Sequence, residues 1–197
     1  MAYVIFGLIL ILGLVFYITS FTKKSAKNKL TEQQTQDTTK VDPNNNPYND
    51  LRNLDLGSTI EQIGIQLPVD QTKIYGVIMD WYLGEGTATL VALLSGDASL
   101  YLSSGGGVIG GRGYDNVKKA AEDFIEKAES YLSKTVKTDS TPLPDKDGVT
   151  FYLLTNKGKF VGREEMKNFD NETSQWLDLF VEGNKLITEI RLIADMK

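Results

Sequence analysis

The sequence predicts an α+β protein with an N-terminal transmembrane helix followed by a three-layer α/β/α domain around a five-stranded antiparallel sheet. Three observations support this prediction. The N-terminus carries an uncharged apolar run, several short apolar segments are separated by turn sequences, and two segments have apolar residues at helical spacing. After the apolar run, the predicted order of elements is β-β-β-α-β-β-α.

Composition restricts the chemistry that is open to the chain. It has 197 residues, of which 41% are hydrophobic and 24% are charged, as in globular proteins. Because it contains no Cys and no His, thiol nucleophiles, disulfides, Cys/His metal sites and imidazole bases are excluded. The net charge of −5 argues against a nucleic-acid partner. We expect no cofactor and no metal site, and we expect that the protein is not an enzyme.

The N-terminal run, residues 3–21, contains nineteen residues without a charge. As a helix it would be about 28 Å long, which matches the hydrocarbon core of a bilayer. The run is favoured as an uncleaved anchor over a signal peptide, because no basic region precedes it and no small-residue cleavage site follows it. Basic residues follow the run and stay on the cytoplasmic side of a membrane; they are Lys23, Lys24, Lys27 and Lys29. The sequence therefore predicts a single-pass protein of the cell (inner) membrane with a cytoplasmic C-terminal domain.

The predicted domain organisation has four parts. Residues 1–22 form the anchor, which contacts the lipid bilayer through residues 3–21. Residues 23–50 are rich in Asn, Gln and Thr, so we expect a flexible polar tether. Residues 51–67 are a transition segment that could form a short helix, and residues 68–197 form the globular α/β domain.

Within this domain, apolar runs that end at turn sequences predict five strands; they are 73–82, 87–94, 98–104, 148–155 and 159–163. The short turns between them imply antiparallel pairing. Two amphipathic segments predict helices over 115–134 and 174–196. Because several strands are apolar on both faces, the sheet needs a cover on each face, and the two helices would provide these covers.

This order of elements, which spans residues 73–197, resembles the profilin-like architecture that includes roadblock-type adaptors and many sensor domains. Separately, the blocks YGVIMDW and GTATLVALLSGDASLYLSSGGGVIGG resemble a family of bacterial, often membrane-anchored proteins that is itself uncharacterised. The second resemblance implies membrane attachment and transfers no functional residues.

The most unusual stretch is 105–113, with six glycines in nine residues; it consists of Gly105, Gly106, Gly107, Val108, Ile109, Gly110, Gly111, Arg112 and Gly113. Three interpretations are open. The stretch could be a bend that needs glycine, an anion site formed by backbone N–H groups and Arg112, or a docking loop with Val108 and Ile109 as apolar contacts. A dinucleotide site is not expected, because the preceding strand belongs to a meander and not to a βαβ unit.

Other candidate sites have simpler interpretations. Asp80, Glu85 and Asp97 could gather carboxylates for hydrolysis or a divalent cation, but solvated turn charges are favoured. Residues 145–148 match part of a calcium loop and are better interpreted as a turn. Four aromatic residues could line a pocket, although a core role is favoured; they are Tyr75, Trp81, Tyr82 and Tyr101.

These observations predict a single-pass, membrane-tethered cytoplasmic adaptor or scaffold domain that binds another protein within a membrane complex. An alternative from a different class is a domain that senses a small ligand or an anion through residues 105–113. A third is an enzyme that relies on carboxylates and lysines. A homo-oligomer also remains open.

Overall fold

The structure is a computed structural model that describes residues 46–194. The predicted anchor, the four lysines that follow it and most of the predicted tether lie outside the described residues. Within residues 46–194, no helix combines the length and the apolar character needed to cross a bilayer. Apart from Asn46, the described residues belong to one compact unit, which begins at Pro47.

The described residues form one antiparallel sheet of seven strands. The strands are β1 Ile74–Tyr82, β2 Thr87–Leu93, β3 Ala98–Leu102, β4 Gly107–Val108, β5 Val136–Lys137, β6 Gly148–Thr155 and β7 Gly158–Glu165. Their order across the sheet is β4-β3-β2-β1-β6-β7-β5. The predicted five-stranded sheet is therefore wrong, because β4 and β5 extend its two edges. Strands of two residues are too short to show the alternation that identifies a strand.

Five α-helices accompany the sheet in the described part of the chain; they are α1 Tyr48–Leu56, α2 Ile60–Ile63, α3 Asp115–Glu129, α4 Met166–Asp170 and α5 Leu177–Ala194. Single 3-10 turns at Gly111–Gly113 and Leu132–Lys134 flank α3. The predicted order β-β-β-α-β-β-α is also wrong, since α1 and α2 precede β1, and β4, β5 and α4 lie between the predicted elements.

Both long helices, α3 and α5, pack against each other and against the same face of the sheet. Met79 of β1 lies below α5 at Gly183, where a Cβ atom would come 3.0 Å from the Met79 sulfur. The Trp81 ring meets the Phe180 ring edge-on, with centroids 5.1 Å apart. Gly183, a weak helix residue in isolation, is therefore explained by close packing on the sheet.

The opposite face is covered by α1, α2 and the residues around them. Tyr48 and Leu56 pack there on Ile78, Val91 and other buried side chains of the sheet. The prediction of one long helix on each face is therefore wrong. Residues 48–67 provide enough apolar surface to cover the second face, so α3 and α5 can share the first face and bury their apolar stripes against each other.

Candidate functional site

The glycine stretch forms one edge of the sheet. The chain leaves β3, turns, returns as β4 and enters α3 through the 3-10 turn Gly111–Gly113. In the turn, the Leu102 N–H donates to the Gly106 carbonyl at 3.1 Å. Gly105, Gly106 and Gly110 have φ values of +99°, +87° and +83°, a region that favours glycine.

Close packing explains two further glycines in the stretch. A Cβ atom at Gly107 would lie 2.4 Å from the Leu100 carbonyl oxygen, and one at Gly111 would lie 2.4 Å from Cγ1 of Val117. Gly107 therefore allows β4 to approach β3, and Gly111 allows α3 to pack closely. At Gly113, which does not have a positive φ, a Cβ atom would meet nothing within 4 Å. The fold thus gives a reason for every glycine of the stretch except Gly113.

The register of β4 directs the backbone N–H and C=O of one residue away from β3, toward the outer edge of the sheet. Val108 lies opposite Leu100, and Gly107 lies opposite Tyr101. In an antiparallel ladder, pairs that exchange hydrogen bonds alternate with pairs that do not. Because Leu102 is hydrogen-bonded to Gly106, the next pair along the ladder, Gly107–Tyr101, does not exchange hydrogen bonds. The N–H and C=O of Gly107 therefore point to the outer side of β4, where no further strand follows among the described residues.

The side chains at this edge are apolar and exposed. Ile109 is 58% exposed, and Val108 is half-buried. Residues 105–111 contain no charged residue and no proline. Natural sheet edges are commonly protected from unwanted pairing by lysine, other charges or proline. The β4 edge carries none of these residues, and its length of two residues limits how long a paired segment can be.

Arg112 takes part in an ion pair within the chain. Its guanidinium Nη1 lies 3.8 Å from Oδ2 of Asp97, and its side chain is 66% exposed. A pair this exposed contributes little to stability. The arrangement nevertheless gives Arg112 a carboxylate partner of its own. Anion sensing through this loop stays a prediction, and no described contact adds support to it.

The three acidic candidates do not come together. Consecutive turns of a meander lie at opposite ends of the sheet, so Glu85 in the β1–β2 turn is far from Asp97 in the β2–β3 turn. Asp80 is buried in β1. Across residues 46–194, no group of three or more acidic side chains could hold a metal ion. Residues 145–148 form a turn in which the Gly148 N–H donates to the Asp145 carbonyl at 3.0 Å.

Asp80 belongs instead to a buried ion pair with Arg52 of α1. The Arg52 Nε donates to both carboxylate oxygens at 3.1 and 3.0 Å, and Nη2 donates to Oδ2 at 2.6 Å. Thr89 of β2 donates its hydroxyl to Oδ1 at 2.5 Å, and the Tyr48 hydroxyl lies 2.7 Å from that of Thr89. Arg52 is 4% exposed and Asp80 is 0% exposed. This pair fixes α1 on the sheet.

The same guanidinium also holds the chain segment before β6. Nη1 of Arg52 donates to the Thr141 carbonyl at 3.0 Å, and Nη2 donates to the Pro142 carbonyl at 3.3 Å. The Tyr152 hydroxyl donates to the same Pro142 carbonyl at 2.6 Å. The pair therefore joins α1, the sheet and a surface segment. Sequence reasoning missed Arg52, although a lone carboxylate in a strand apolar on both faces signals a buried partner.

The aromatic candidates are core residues on two different faces. Tyr101 donates its hydroxyl to Oδ2 of Asp55 at 2.8 Å, and Tyr75 donates to the Ser58 carbonyl at 2.8 Å, both below α1 and α2. Trp81 packs on the α5 face. These residues therefore do not line one pocket. Tyr82 is half-buried at the end of β1, where its hydroxyl donates to the Gly84 carbonyl.

Burial changes the ionisation of the Tyr101–Asp55 pair. It raises the pKa of Tyr101 to about 12. Burial also raises the pKa of Asp55 above its ordinary value, and the charge of Asp97 adds to this rise. Both groups therefore favour their neutral forms more than they would in water.

No family model, no curated protein and no solved structure matches the chain, so the family resemblance stays a prediction.

Proposed function

We propose that this protein is a membrane-tethered adaptor whose domain binds an extended segment of a partner protein along the outer edge of β4. The observation that carries the binding part is the outward N–H and C=O of Gly107 beside the exposed Ile109. The membrane part is supported by the uncharged residues 3–21 and the lysines that follow them.

An extended peptide can add a strand to an open sheet edge, where main-chain hydrogen bonds give affinity and side chains give specificity. Glycine in a strand permits close approach of another backbone. The two edges of the sheet differ in this respect. β5, at the other edge, carries the exposed Lys137, a residue typical of protected edges, whereas β4 carries only Gly107 and Val108.

The expected affinity of this edge is modest. Full burial of an isoleucine side chain contributes about 1.5–3 kcal/mol, and a hydrogen bond contributes about 0.5–1.5 kcal/mol net. A membrane anchor compensates for weak contacts, because tethering raises the effective concentration of the two partners. The predicted polar tether would give the domain freedom to reach a partner near the membrane.

The test uses a photo-crosslinking residue at position 109 of the full chain in native membranes. Val136 of β5 is the matched control, because it is an apolar residue on the opposite edge strand with a similar exposure of 64%. We expect a crosslinked product of higher mass from position 109 and little from position 136. Equal crosslinking at both positions, or none at position 109, would overturn the binding part.

A further inference from the structure

We infer that the strand which pairs with β4 is the β4 of a second copy of this chain, in a two-fold antiparallel arrangement centred on Gly107. This refines the function proposed above, on which it rests, by naming the partner. Twofold interfaces require one surface patch that is complementary to itself. The β4 edge meets this requirement in its hydrogen bonds, in its shape and in its charge.

The hydrogen bonds follow from the register. The outward N–H and C=O of Gly107 would face the same two groups of the other copy, and an antiparallel pair of this kind exchanges both bonds. Counting outward from this pair, Val108 of one copy faces Gly106 of the other. Ile109 then lies beside the turn of the other copy at Gly105.

The shape is complementary because the two large residues face residues without side chains. A Cβ atom at Gly105 would meet nothing within 4 Å, so the turn leaves open space beside the edge. Ile109, now exposed to solvent, would fill this space in the other copy. One segment thus provides both the apolar side chains and the room that they need.

Charge does not oppose the pairing, because residues 105–111 contain no charged side chain that could face its own copy. An axis perpendicular to the sheet keeps the α5 face of both copies on the same side. Since α5 contacts β3 and β4, the two α5 helices would also approach each other. The exposed Leu192 of α5 provides a further apolar side chain for that contact.

The chain has no native cysteine, so a single introduced thiol gives an unambiguous crosslink. In the proposed register, the two copies of position 109 are separated by four residues along the strands, or roughly 14 Å. We would treat native membranes that contain full-length Ile109→Cys with a bis-maleimide of this reach. The matched control is Val136→Cys on the opposite edge.

We expect a product of twice the 21.9 kDa chain mass from Ile109→Cys and far less from Val136→Cys. The photo-crosslinker at position 109 separates the remaining outcomes. If it gives only products of another mass, and the bis-maleimide gives no dimer, the second-copy partner is overturned and the proposed function stands. If neither reagent gives a product above the level of the position 136 control, both are overturned.

Discussion

At the scale of single residues, the buried pair between Arg52 and Asp80 determines where α1 lies. Removing two charges from water is costly, and the attraction within the pair offsets this cost only when the remaining hydrogen bonds are also made. Here the hydroxyl of Thr89 and the carbonyls of Thr141 and Pro142 make them. The pair therefore contributes specificity of position more than net stability.

The substitution Arg52→Met should destabilise the fold strongly, because it leaves the Asp80 carboxylate buried without its cation. We expect a loss of about 3–5 kcal/mol in the free energy of unfolding, measured by urea denaturation. The double variant Arg52→Met/Asp80→Leu should recover a large part of this loss, since no buried charge remains. If Arg52→Met unfolds at the same urea concentration as the unchanged protein, this account is contradicted.

Two glycines of the stretch 105–113 allow a matched comparison. Gly107→Ala places a Cβ atom 2.4 Å from a backbone oxygen, so β4 must move, at a cost of about 1–3 kcal/mol. Gly113→Ala meets no neighbour and should change stability by less than about 0.5 kcal/mol. Thermal unfolding of both variants measures the difference. Equal melting temperatures would mean that β4 is not held against β3 in the way described.

At the scale of elements, α1 depends on tertiary contacts for its existence. It has nine residues, and isolated helices of this length are marginal in water. Its buried residues, Tyr48, Arg52 and Leu56, attach it to the sheet. The helix is therefore part of the domain and not part of the chain that leads to it.

A chain that begins at Pro47 should unfold cooperatively, whereas one that begins at Gly57 should not. The shorter chain lacks Tyr48, Arg52 and Leu56, leaves Asp80 without a cation and exposes one face of the sheet to water. Circular dichroism during heating measures the transition. If both chains show the same sharp transition, α1 is dispensable for the fold.

At the scale of the whole molecule, buried tyrosines determine the response to alkaline pH. Burial is the largest cause of a raised pKa at five of them; they are Tyr48, Tyr75, Tyr101, Tyr131 and Tyr152. A group whose pKa is higher in the folded state stabilises that state below its unfolded pKa. This contribution is lost as the pH rises through the folded pKa.

The contribution of these tyrosines to stability should therefore be constant up to about pH 10, the ordinary pKa of tyrosine, and should fall as the pH approaches about 12, the pKa of Tyr101. We expect tyrosine ionisation, measured by absorbance at the phenolate band, to coincide with loss of the circular dichroism signal. Ionisation of all tyrosines near pH 10 in a protein that stays folded would contradict the prediction.

Orientation in the membrane can also be tested on the whole molecule. The lysine cluster at positions 23–29 predicts a cytoplasmic domain, because basic residues stay on that side. A reporter enzyme that is active only outside the cytoplasm should therefore be silent when it is fused after Lys197. Replacing the four lysines by glutamine should raise its activity. Strong activity from the unmodified fusion would reverse the predicted orientation.

The five longer strands could be predicted because each combines an apolar run with a recognisable turn sequence. The turn at 156–158, for example, brings Thr155 opposite Gly158. The edge strands β4 and β5 could not be predicted, since two residues carry no periodicity and their pairing depends on the neighbouring strand. The placement of α3 and α5 on one face is likewise a property of the assembled core.

The candidate site was predictable only in part. Its glycine content identified residues 105–113 as unusual, but the outward direction of Gly107 follows from a register that the sequence does not encode locally. The Arg52–Asp80 pair joins residues 28 positions apart in different elements. A buried carboxylate in a strand indicates that a partner exists, without indicating which cation it is.

The distribution of aromatic residues gives each face of the sheet its own optical signal. Both tryptophans lie on the α5 face, Trp81 against Phe180 and Trp176 stacked on Phe151. Four of the five tyrosines with raised pKa values lie in the cluster on the α1 face, whereas the fifth, Tyr131, stacks on Trp176. Fluorescence excited in the tryptophan band therefore reports on the contact with α5, and phenolate absorbance reports mainly on the contact with α1, where four of the five tyrosines with raised pKa values lie. Coincident curves from the two signals would show that both layers separate from the sheet in one step, and divergent curves would identify the layer that separates first.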